Sequence, residues 1–62
     1  MKIDEKKLYI QCAKNGLNFG DLAKLLNVSR VTVYGYKKHN IRSDTLNRIA
    51  QALNCEPEEL LE

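Results

Sequence analysis

One spacing constrains this chain more than any other feature: Leu22-Ala23, then Asn27-Val28-Ser29, then Val33 and Tyr36. Apolar residues at helical intervals on either side of a three-residue break predict two short helices joined by a tight turn. Ala23 supplies a small side chain where the two helices nearly touch. Asn27 falls where the joint needs a positive φ, which Asn tolerates better than most residues. Ser29 caps the second helix, whose inward stripe needs only Val33 and Tyr36. Arg30, Val31, Tyr34 and Gly35 are then left unclaimed by the core, as a free outer face.

The same start signal recurs along the chain and predicts an all-α fold of five helices over a single domain, residues 1–62. Helix 1 is expected from about Asp4 to Asn15, with Leu8, Cys12 and Ala13 inward and Gly16 ending it. Tyr9 and Ile10 are adjacent, so one of them is expected to be partly exposed. Helix 2 opens on Asn18, with Asp21 as its capping-box partner and Leu17 stapled onto Leu22. Helix 3, residues 29–38, has Val28 stapled onto Val33. Helix 4, from about Asp44 to Leu53, buries Leu46, Ile49, Ala50 and Leu53. Its cap is either Arg42, which lets Ile41 staple onto Leu46, or Ser43, the better capping residue. Helix 5 begins at Pro57, with Cys55 stapled onto Leu60. Helix 3 is weakest by propensity: Val31, Thr32 and Val33 are β-branched, and Gly35 costs about 1 kcal/mol relative to Ala. Neighbours must hold it, which suggests that its sequence serves its outer face.

Charge is small in total, +2, but uneven. Residues 30–48 carry Arg30, Lys37, Lys38, Arg42 and Arg48 against Asp44 alone, whereas Glu56, Glu58, Glu59 and Glu62 close the chain without a base. A basic face for a polyanion, with an acidic end held away from it, fits that pattern, as does an ordinary solvated surface. A chain of 62 residues buries only about 60% of its unfolded surface, and no small-molecule effector domain is expected beside it. With no signal-peptide core or membrane-length apolar run, a cytoplasmic protein without membrane contact is expected. Cys12 and Cys55 then read as reduced thiols rather than a disulfide. One His and no paired Cys spacing give no reason to expect a metal or other cofactor. No nucleophile–base spacing suggests an enzyme.

Phe19 to Tyr36 resembles the two-helix motif of the Cro-like phage repressor helix-turn-helix family, the xenobiotic-response-element type. Ala23, Asn27, Val33 and Tyr36 fit the motif's small, turn and buried positions. Thr45-Leu46, Ile49-Ala50, Ala52-Leu53 and Pro57-Glu58-Glu59-Leu60-Leu61 are similar to the family's last two helices, so the resemblance covers nearly the whole chain. It implies a lambda-repressor-like, compact five-helix domain that binds a double-stranded DNA operator with helix 3 in the major groove. Arg30, Val31 and Gly35 would then face base edges, with Tyr34 at bases or backbone. Asn18 and Phe19 at the start of helix 2, and Ser29 and Thr32 at the start of helix 3, would meet phosphates. Lys37, Lys38, Asn40 and Arg42 would flank the groove as further phosphate ligands, beside His39. Two positions depart from the family: Phe19 replaces a frequent Gln that contacts phosphate, and Arg42 replaces a short hydroxyl cap.

Each reading has a plainer rival. Arg30 reads guanine, or contacts a phosphate, or is merely solvated; Val31 packs on a thymine methyl or against a neighbouring helix. Tyr34 meets a phosphate or sugar, or shields the following loop; Gly35 admits the duplex or is neutral. Pro57, Leu60 and Leu61 form the patch of a weak homodimer strengthened on DNA, which Leu60→Glu would impair, or they close the core. The resemblance implies that the chain as a whole is a transcriptional regulator, a repressor of prophage or mobile-element type; the alternative is a protein-interaction module on the same fold, such as an antitoxin or anti-repressor.

Overall fold

Asp4 starts the first helix in the computed structural model, which describes residues 1–62: its carboxylate accepts the backbone N–H of Lys6 at 2.9 Å. That helix, α1, spans Glu5–Lys14. After it come α2, Phe19–Leu26, α3, Arg30–Tyr36, and α4, Ser43–Ala52. The chain then makes a single 3₁₀ turn, Pro57–Leu60. Four α-helices and a turn therefore replace the five helices expected. Pro57 does open the last element, but Leu61 leaves it in an extended conformation and pairs with Ile3 across the two ends of the chain. Too few residues remain between those two constraints for an α-helical turn to propagate.

Three of the four joints use one device. Gly16, Asn27 and Asn54 adopt left-handed φ values of 68°, 58° and 53°. After each, an apolar residue sends its N–H back to a carbonyl five positions earlier: Leu17 to Cys12, Val28 to Ala23 and Cys55 to Ala50, at 2.9–3.0 Å. The pattern closes the helix just finished and satisfies its orphan carbonyls. Leu17, Val28 and Cys55 then pack against the core, and the next residue is the N-cap of the next element. At α2 the cap is a complete box: Asn18 Oδ1 accepts from Asp21 N–H at 2.8 Å and Asp21 Oδ2 from Asn18 N–H at 3.1 Å. The α3–α4 link has no left-handed residue. It is held by the first residue of the chain, whose carbonyl accepts from Ile41 N–H at 2.7 Å. Arg42 is the N-cap of α4 by backbone position, without a side-chain bond, and Ser43 is the first helical residue.

Ile3, Leu8, Leu22, Val33, Ile49, Leu53 and Leu60 fill the middle. The stripe expected for α4 is buried as a whole, as are Leu22, Ala23 and Val33, while Tyr36 is half-buried against it. Three expectations need correction. Ala13 is exposed and Gln11 is buried in its place, because α1 turns the side on which Leu8, Gln11 and Cys12 lie toward the core. Tyr9 and Ile10 are both exposed. Leu60 is fully buried, so it closes the core and offers nothing to a partner; Pro57 and Leu61 are half-buried. No helix is long and apolar enough to cross a membrane. Cys12 and Cys55 are free thiols. Burial, and secondarily Cys55, pushes the Cys12 thiol up, and burial followed by Glu59 and Glu56 does the same to Cys55. Both are therefore held in the protonated, unreactive form.

Candidate nucleic-acid interface

The third helix is built from residues that make helices poorly, and its neighbours hold it. Ser29 Oγ accepts the Thr32 N–H at 3.2 Å and shares a 3.0 Å hydrogen bond with Thr32 Oγ1. Val33 is sunk completely in the core where α3 packs on α2, and the left-handed Asn27 fixes the entry angle. With Val33, Tyr36 and Lys37 on the inner side, helical periodicity places Val31, Gly35 and Lys38 along the centre of the outer side. Val31 is 80% exposed, far more than an apolar residue of a packed helix. Gly35 carries no packing constraint, since a Cβ there would meet nothing nearer than His39 Cδ2 at 3.9 Å. The helix ends at Tyr36, two residues before the expected Lys38, and Lys38 and His39 both bond the Gly35 carbonyl as the chain turns away.

Two flanks border this strip. On one, Arg30 and Tyr34 lean toward the start of α2. Asn18 there is occupied by its capping box, but the N–H groups of Phe19 and Gly20 have no acceptor in the chain. The guanidinium of Arg30 lies against Gly20: a Cβ on that glycine would stand 2.8 Å from Nη2 and 2.9 Å from Nε. On the other flank, a shallow depression gathers Thr32, Gly35, Asn40 and Arg42. Arg42 reaches Asp44 at 3.5 Å, but both side chains are so exposed that the pairing contributes little.

Lys37 is not on the rim where a phosphate ligand was expected. Its side chain is 16% exposed, and its ammonium makes a 2.9 Å ion pair with Glu5 Oε1. It also lies 5.1 Å from the centre of the Tyr34 ring and 5.6 Å from that of Phe19. Phe19 in turn meets Tyr34 and Tyr9 edge-on, with ring centres 5.6 and 6.4 Å apart. The register of α3 causes this: one turn after Val33, position 37 points under the helix toward α1. Tyr34 is therefore partly committed, with 44% of its surface left open. Arg48, counted in the basic run, is also engaged, donating from Nη2 to the Leu26 carbonyl at 3.0 Å and so capping the negative end of α2. Of the five bases in that run, Arg30, Lys38 and Arg42 remain outward-facing. Sequence reasoning missed the contact of Gly20 with Arg30, ten positions away, which no local pattern indicates.

Lys37→Met keeps the stem and removes the charge. It should lower stability by about 1–2 kcal/mol through the lost ion pair and cation–aromatic contacts. The salt dependence of binding to a duplex should stay unchanged, because no phosphate contact is lost. A fall of about one unit in the slope of log K against log salt would return Lys37 to the phosphate ligands.

No cluster of three or more His, Cys, Asp or Glu side chains is arranged to hold a metal ion. The family model for the Cro/C1-type HTH DNA-binding domain matches residues 7–62, which take in α2, α3 and the α3–α4 link. No curated protein and no solved structure matches the chain.

Proposed function

Because the chain belongs to the Cro/C1-type HTH DNA-binding domain family, we propose that it is a sequence-specific regulator that lays α3 in the major groove of a double-stranded operator. The observation that carries this reading is the strip formed by Val31, Gly35 and Lys38, which no part of the fold uses, flanked by Arg30 and Arg42. A glycine in the middle of the strip leaves room for a base pair to approach, Val31 offers a surface for a thymine methyl, and Arg30 offers paired donors for guanine. The free N–H groups of Phe19 and Gly20, with Ser29, Thr32, Lys38, Asn40 and Arg42, serve phosphates on either side and set register rather than sequence. Regulation follows from occupancy. A repressor of prophage or mobile-element type, which blocks polymerase by sitting on its site, is the simplest version. A homodimer on two half-sites one helical turn apart, about 34–36 Å, would supply discrimination that one short helix lacks. Pro57, Leu61 and the α3–α4 link are the surfaces it would use.

Selection of bound sequences from a random DNA pool tests this directly. A defined site is expected, palindromic if the protein binds as a dimer. Arg30→Ala should then lower affinity for that site by about 1–3 kcal/mol and relax preference at one base pair per half-site. Equal loss on specific and random DNA would make Arg30 a phosphate contact. Affinity for any duplex that is insensitive to salt would argue against the reading as a whole and favour a protein-interaction module.

A further inference from the structure

We infer that Gly20 is the seat of the Arg30 guanidinium and so sets which base Arg30 reads; the inference rests on the function proposed above. Gly20 is the second residue of α2 and is not among the residues with positive φ, so its backbone does not require glycine. At a helical position glycine is less favourable than alanine. Space explains it instead. A Cβ at Gly20 would lie 2.8 Å from Nη2, 2.9 Å from Nε and 3.1 Å from Cζ of Arg30. Cζ is the farthest of the three, so the guanidinium rests obliquely on the glycine with its Nε and Nη2 side nearest, in space that a Cβ would occupy.

Arg30 has no hydrogen bond or ion pair within the protein, so all its donors stay available for an acceptor outside it. The residue before Gly20 is Phe19, which has no polar side-chain atom with which to hold it. The glycine is therefore the surface on which the guanidinium rests. A guanidinium already resting against the backbone loses less freedom when it forms paired bonds to guanine. The contact involves the far end of a flexible side chain, so a methyl group on residue 20 shifts Arg30 without disturbing the core. Gly20 acts as a positioning residue, and its effect belongs to base preference rather than to folding.

The test compares Gly20→Ala, Arg30→Ala and the double variant on the DNA site selected by the wild-type protein, together with that site changed at the base pair where Arg30→Ala loses preference. Gly20→Ala should melt at or above the wild-type temperature. It should bind the selected site about tenfold more weakly and lose or change its preference at that base pair. In the Arg30→Ala background the same change should alter binding less than about twofold, because the seat then has no occupant. Equal losses in both backgrounds would mean that the added methyl meets DNA itself, and no loss with unchanged preference would mean that Arg30 needs no seat. Either result overturns the proposal. If the wild-type protein selects no sequence, the DNA-reading function fails, and the seat is judged separately from the Arg30 Nε–H resonance of free protein. Gly20→Ala should shift that resonance; an unmoved signal overturns the seat.

Discussion

Leu60→Glu is expected to leave the protein largely unfolded at 25 °C. Leu60 is fully enclosed, beneath the pairing of Ile3 with Leu61 and against α1 and α4. Replacing it removes a buried leucine, worth about 2–5 kcal/mol, and forces a carboxylate into the apolar core, while the Lys7 ammonium stays at the exposed rim on the Leu61 carbonyl, 2.8 Å away. At about 0.05–0.15 kcal/mol per residue, a chain of this length has roughly 3–9 kcal/mol to lose. Circular dichroism should show little helix, with no cooperative transition in urea. A folded variant with the wild-type melting midpoint and only weakened pairing on DNA would place Leu60 at a dimer surface and contradict its burial.

Ile49→Ala and Leu46→Ala should each cost about 2–5 kcal/mol, Ile49 toward the upper end. Ile49 is completely buried and Leu46 nearly so, on the side of α4 that packs against α2 and the 3₁₀ turn. Loss of either leaves a void where α4 meets α2 and the 3₁₀ turn. The urea midpoint should fall with little change in slope, since the surface exposed on unfolding is nearly the same. Unchanged midpoints would show that α4 presents a different side to the core.

Both predictions concern parts of the molecule whose legibility in the sequence differed. The side of α4 was readable because four apolar residues at helical spacing leave only one way to bury them. The capping box of Asn18 and Asp21, the cap at Ser29 and the left-handed Asn27 were readable because each is a local event, complete within three or four residues. Leu60 lay behind a start signal that was read correctly and an end that was not. The element is stopped by Ile3, 58 positions away from Leu61, and a single apolar residue in an extended segment leaves no periodic trace. Side-chain charge was visible, but its partner was not. Lys37 and Arg48 are as basic as Lys38 and Arg42, and only tertiary packing decides that the first two meet Glu5 and the Leu26 carbonyl. In α1, Gln11 and Ala13 flank the same stripe, and the sequence favours the apolar one. The helix instead buries Gln11, which lies one turn after Leu8 and next to Cys12.

The left-handed joints at Gly16, Asn27 and Asn54 also determine where this architecture tolerates a change of length. Each joint contains three consecutive residues with assigned tasks: one reverses the backbone, one plugs the core and one caps the next element. An extra residue inside any of them would push a branched or bulky side chain toward the left-handed position, or detach the plug from its hole. The stretch from Lys38 to Asn40 is different, because its side chains are exposed and it contains no left-handed residue. Insertions and deletions are thus absorbed at the outer end of α3. There they can lengthen or shorten the edge beside the groove while the tilt of α3 on α2 stays as it is.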